Sequence, residues 1–138
     1  MQISKLIGTV MLAAMSLNVW AVDGGALVNQ GADAVADVSF KDHIQPILQD
    51  YCVSCHSPNA RGFTVSGLDL TSYEGVMKGT RFGKVVIPGN SEQSTLTKLL
   101  TGTNKGLKMP AGLNESGTLD KRYITAMRKW VKQGAKNN

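Results

Sequence analysis

An all-α fold is predicted for this chain of 138 residues, and three observations predict it. Two stretches, near residues 40–51 and 123–131, carry apolar side chains at helical spacing. Polar residues with capping chemistry stand ahead of two shorter apolar groups. The composition, 42% hydrophobic and 18% charged, excludes a fully disordered chain. The length admits one domain and excludes two packed catalytic domains.

The first helix is expected from Ser39. Phe40, Ile44, Ile47, Leu48 and Tyr51 share one face, Ser39 is the N-cap, and Asp42 is placed as the acid of a capping box. Pro46 lies inside this pattern and should kink the helix or start its second part. Residues 57–70 hold Pro58, Gly62 and Gly67 and read as a loop. Thr71 and Glu74 form a second capping signature before Val76 and Met77, with Gly79 as the stop. Gly83–Gly89 reads as an extended stretch ending in a turn. Asn90 with Gln93 is expected to cap a helix bearing Leu96, Leu99 and Leu100 on one face. Residues 101–117 read as loop. The last helix is expected to be capped by Thr118, with Asp120 in its first turn. Tyr123, Ile124, Met127, Trp130 and Val131 form its stripe, and Gly134 ends it. Loops this long inside a small domain call for a functional reason. A large apolar cofactor, sharing the core with loops wrapped around it, is one.

The segments ahead of the helices read differently. Leu6–Ala21 runs for sixteen residues without a charge, behind Lys5. That is short of the roughly 20 apolar residues of a membrane span. With Val19-Trp20-Ala21 as a small-residue cleavage site, residues 1–21 are expected to be a secretory signal peptide and the chain to be periplasmic. A membrane association arises only if that segment stays uncleaved. Residues 22–38 read as a flexible acidic leader, and 39–138 as the folded domain. The formal net charge of +5 divides unevenly. Residues 22–50 carry five Asp against one Lys, whereas residues 51–138 carry thirteen basic and five acidic side chains. The folded part therefore favours an acidic partner.

Two Cys and two His are all the chain contains of those residue types. Two Cys exclude a disulfide-dense scaffold, and a bridge between Cys52 and Cys55 would close a tiny loop of little stabilising effect. Residues 52–56 read Cys-Val-Ser-Cys-His, the attachment signature for c-type haem. Two thiols at this spacing, at the end of a helix, reach the two vinyl groups of one porphyrin and form thioethers. The adjacent His56 imidazole is then the proximal iron ligand. A thioredoxin-like pair would need a preceding strand in a βαβ context, and here a helix precedes. Zinc held by His43, Cys52, Cys55 and His56 lacks the usual downstream pair of spaced histidines. Met109, followed by Pro110 in a polar and glycine-rich loop, is the candidate distal ligand. Met77 and Met127 fit core packing instead. His43 is the rival ligand, nine residues before Cys52. A His/Met pair raises the reduction potential relative to two imidazoles.

Phe40, Ile44-Gln-Pro-Ile-Leu48, Cys52-Val-Ser-Cys-His56 and Gly67-Leu-Asp-Leu70 form one set of segments. Val86-Ile-Pro-Gly-Asn90, Ser94 with Leu96, Met109-Pro110, Lys129-Trp-Val131 and Gly134-Ala135 form another. Together they resemble a monohaem cytochrome c of the planctomycete type, over about residues 39–135. Ala111 departs from a pattern that often has a second Pro there. The resemblance implies a class I-like cytochrome c fold, with N- and C-terminal helices crossing beside one covalent haem c. Phe40 or Ile44 would then touch Tyr123, Met127 or Trp130. It implies Cys52 and Cys55 as haem attachments, His56 as proximal and Met109 as distal iron ligand.

The expected function is single-electron transfer by a monomer, with no nucleic-acid role and no catalytic residue. Val86-Ile87-Pro88 is expected to supply a carbonyl to the second nitrogen of the proximal imidazole. Lys78, Arg81, Lys84, Lys105 and Lys108 are expected to ring the docking face for redox partner proteins. The alternative is a haem-bearing subunit or a ligand-binding sensor module with a five-coordinate or bis-His iron.

Overall fold

The computed structural model describes residues 36–113, 117 and 119–138. The expected signal segment 1–21, most of the expected leader and Thr118 lie outside the described residues. Among the described residues the secondary structure is helical. A π-helical turn, Phe40–Ile44, runs into α1, Gln45–Tyr51, and α2 to α5 follow as Arg61–Ser66, Tyr73–Lys78, Thr95–Thr101 and Lys121–Lys132. Two isolated bridges, Thr80 to Gly83 and Asn104 to Leu107, close turns rather than strands. No described helix is long and apolar enough to cross a membrane.

Pro46 explains the division of the first helix. It has no N–H to donate, and its ring crowds the carbonyl four residues back. Upstream the ladder widens by one residue: the Ile44 N–H reaches Ser39 O at 3.3 Å, and the Gln45 N–H reaches Phe40 O. Pro46 then stands in the first turn of α1, where a missing donor costs nothing. Ser39 caps as expected, accepting from the Asp42 N–H at 3.1 Å. The reciprocal half of the box differs. The Ser39 N–H is taken by His43 Nδ1 at 3.0 Å, one residue beyond Asp42.

Other caps move by a residue or more. α3 is capped by Ser72, whose hydroxyl accepts from the Gly75 N–H at 3.1 Å, because Thr71 is held in a turn by Asp69 Oδ1 at 2.7 and 2.9 Å. Asn90 does accept from the Gln93 N–H, but this only opens a turn, and α4 starts after Ser94. The Ser94 hydroxyl is fully buried and does other work. It accepts from the Ile87 N–H at 2.9 Å and donates to Asn90 O at 2.8 Å, pinning the extended stretch to α4. At α5 the cap is Asp120, whose carboxylate accepts from the Arg122 N–H at 2.8 Å.

The stretch 57–70, expected to be all loop, contains α2. Its residues hold neither a capping side chain nor a buried apolar stripe, so no periodic signal announced it. It ends at Gly67, whose φ of +74° is the left-handed conformation that glycine adopts without strain.

The core draws on every part of the chain that carried apolar periodicity. Ile44, Leu48, Val76, Met127, Trp130 and Val131 are at most 1% exposed. The first and last helices meet through aromatic rings. Phe40 lies 5.5 Å from Trp130 and 5.2 Å from Tyr73, centroid to centroid. Tyr73 Oη donates to Ala135 O at 2.9 Å, and Trp130 Nε1 donates to Lys136 O at 2.9 Å. The start of the first helix is also capped by distant chain. Its Phe40 N–H reaches Asn138 Oδ1 at 3.0 Å, the Lys41 N–H reaches Asn138 O at 3.1 Å, and the Val38 N–H reaches Gln133 Oε1 at 2.9 Å. The first two satisfy donors that any helix leaves unpaired at its N-terminus, and the third ties down the residue ahead of the cap.

Candidate haem-attachment site

The Cys-Val-Ser-Cys-His segment leaves α1 as a single turn. The Cys52 N–H still bonds to Leu48 O at 2.9 Å, and Cys52 O then accepts from both the Cys55 N–H at 3.1 Å and the His56 N–H at 2.9 Å. One carbonyl thus gathers the motif. Cys55 O accepts from the Phe63 N–H at 3.1 Å, and His56 O accepts from the Leu70 N–H at 2.8 Å. The segment is therefore held on one side by α1 and on the other by α2 and Leu70 beyond it.

Both cysteines are free thiols, Cys52 half-buried and Cys55 exposed. Burial, with a smaller contribution from the neighbouring Cys55, pushes the Cys52 thiol up to about 11. At pH 8 that leaves a thiolate fraction of roughly 10⁻³. Iodoacetamide is accordingly expected to modify Cys55 first in the haem-free protein, with Cys52 slower by about tenfold or more. Peptide mapping by mass spectrometry measures the order, and equal rates would contradict the described burial.

His56 is half-buried, and its Nδ1 is fully buried without a hydrogen-bond partner. Burial lowers the imidazole pKa, and the Leu68 backbone, which interacts with the ring, opposes this. Neutral imidazole, the form that ligates a metal, therefore persists to lower pH than in a free peptide. The backbone group beside the ring is that of Leu68 and not, as expected, of Val86-Ile87-Pro88. Within that stretch Ile87 is engaged elsewhere: its carbonyl accepts from the Asn90 N–H at 3.0 Å, and its N–H donates to Ser94 Oγ at 2.9 Å.

Met109 stands on a separate loop. It is half-buried, and its N–H donates to Leu99 O at 3.1 Å, which fastens the loop to α4. Met127 is fully buried and Met77 packs against the core. The structure thus gathers Cys52, Cys55 and His56 on one turn and leaves Met109 on its own anchored loop. His43 is exposed at the N-terminal end of the first helix, with Nδ1 engaged by the Ser39 N–H. Its position identifies it as a helix cap, a role that neither the spacing nor the residue type had disclosed. Lys78, Arg81, Lys84, Lys105 and Lys108 are all exposed. Two of them also brace backbone, Lys84 Nζ to Met77 O at 2.7 Å and Arg81 to Thr64 O at 2.8 Å.

The donor set suits a covalently attached haem. Two cysteines outside any disulfide lie three residues apart on one turn, beside an imidazole whose pKa burial lowers. A cavity of about 300 Å³ between the first helix and α5 is lined by His43, Tyr51 and Tyr123 among others. It contains none of the three motif residues. In comparison with known families, the model described as planctomycete cytochrome C matches residues 52–111. No curated protein and no solved structure matches the chain.

Proposed function

From the premise that residues 52–111 belong to the planctomycete cytochrome C family, we propose that the protein is an exported single-electron carrier with one covalent haem c. The observation that carries this reading is the turn on which Cys52 O gathers Cys55 and His56. Cys52 and Cys55 would hold the macrocycle by thioethers, and His56 and Met109 would ligate its iron. When bound, the haem supplies a one-electron Fe(III)/Fe(II) couple.

The chain's own part is to hold these groups still. The motif carbonyls are already bonded, so the turn has little freedom, and the Met109 backbone is tied to Leu99. His56 and Met109, if both held the iron, would leave the group little to reorganise between redox states. The contact of Phe40 on the first helix with Trp130 on the last is one that a class I-like arrangement beside the haem would make. Exposed Val65 on α2 and Phe82 on the adjoining turn place apolar surface near the motif, and the two segments are joined by the bond from the Arg81 N–H to Ser66 O at 2.9 Å. The exposed basic side chains at 78–84 and 105–108 favour an acidic redox partner.

Optical spectra of the haem-loaded protein in both redox states test the ligand assignment. The oxidised wild type is expected to show the weak far-red band of an iron–thioether bond. Met109→Ala should lose it and lower the reduction potential. A wild-type spectrum without that band removes Met109 as the ligand, and loss of the band without a change of potential removes its stated electronic role.

A further inference from the structure

Gly62 occupies the second position of α2, with an ordinary helical backbone that any residue could adopt. Its lack of a side chain therefore answers a need for space rather than for conformation. A Cβ there would lie 2.6 Å from Cys55 O, 2.9 Å from His56 Cε1 and 3.0 Å from His56 Nδ1. The first two distances are shorter than non-bonded carbon contacts allow. The backbone of α2 is thus seated directly on one edge of the imidazole, and the bond from the Phe63 N–H to Cys55 O, one residue on, keeps it there. The buried Nδ1 lies on this edge, and the Leu68 backbone also stands beside the ring.

We propose that Gly62 is a positioning residue for His56: the contact between its backbone and the Cε1–Nδ1 edge fixes the rotation of the imidazole and presents Nε2 to the haem iron. This deepens the functional reading and rests on it. An alternative role, as a mere tolerated glycine in a short helix, makes the opposite prediction, because alanine is the better helix former and would then leave the site unchanged or the protein more stable.

The orientation of a ligating imidazole governs the paramagnetic shifts of the haem methyl protons, a property that a purely structural role would not move. Haem-loaded wild type, Gly62→Ala and Arg61→Ala, the last an exposed neighbour on the same helix, are compared by proton NMR in the ferric state. Gly62→Ala is expected to change the spacing and order of the methyl resonances, and Arg61→Ala to retain those of the wild type. In the ferrous wild type, nuclear Overhauser contacts are expected between the His56 Hε1 proton and the Gly62 Hα protons. This second measurement decides the matter even if Gly62→Ala fails to fold. An unchanged methyl pattern in haem-loaded Gly62→Ala, or absence of the contact in the wild type, overturns this inference alone. A wild-type chain that takes up no covalent haem overturns the functional reading and this inference with it.

Discussion

Replacing Cys52 and Cys55 together by alanine is expected to abolish covalent haem attachment completely. The wild-type chain should carry haem through a denaturing gel and resist extraction by acidified organic solvent, because a thioether survives unfolding. The double variant has no sulfhydryl left, since these two are the only cysteines in the sequence. Any haem it retains is held by His56, Met109 and apolar contact, and unfolding releases it. Haem staining of the gel, with a pyridine haemochrome assay of the pellet and supernatant, measures the loss. A band that persists in the double variant would remove the thioethers from the mechanism. The turn geometry explains why the effect should be so large: both thiols leave one turn, so they act on one ligand together.

Trp130→Ala is expected to have the largest effect on stability of any single substitution. The indole is 1% exposed, touches the Phe40 and Tyr73 rings at 5.5 and 6.5 Å, and donates to Lys136 O. Removing a buried indole costs about 3–5 kcal/mol, from lost transfer free energy and the cavity left behind. Against a total stability of about 5–15 kcal/mol this is enough to bring the domain close to unfolding. Trp130→Phe retains most of the apolar volume and loses mainly the Nε1 hydrogen bond, worth about 1 kcal/mol. Urea denaturation of the haem-loaded forms should rank wild type, Trp130→Phe and Trp130→Ala in that order. A cost below about 1 kcal/mol for Trp130→Ala would mean that the first and last helices do not depend on this contact.

The parts of the fold that could be read in advance are those where a local pattern has a single physical outcome. Phe40, Ile44 and Leu48 repeat at helical spacing, and all three are buried. The same holds for Met127, Trp130 and Val131, and Phe40 does meet Trp130 as the expected pairing required. For Pro46 the sequence left a kink or the start of a second helical part open, and the structure shows the second, because a proline's missing donor costs nothing in a first turn. Caps were less legible. Thr71 and Ser72 have equivalent hydroxyls, and the choice between them was made by Asp69, whose carboxylate held Thr71 back. Ser94 was passed over for Asn90 because the bond from the Ile87 N–H to its hydroxyl could not be foreseen from helical pattern. α2 carries no buried apolar residue, so periodicity had nothing to report there.

By itself the sequence determined the helical class, the first and last described helices and the Cys52–His56 segment as the candidate site. These follow from side-chain periodicity and from covalent spacing, both short-range properties. Only the tertiary structure decided which groups surround His56: the Leu68 backbone rather than Val86–Pro88, and Gly62 pressed against the ring. It also decided that His43 caps a helix and that Asn138 closes the first one. The physical reason is distance along the chain. Gly62 became informative only when α2 folded back on the turn, and Asn138 only when the chain brought it to Phe40, 98 positions away.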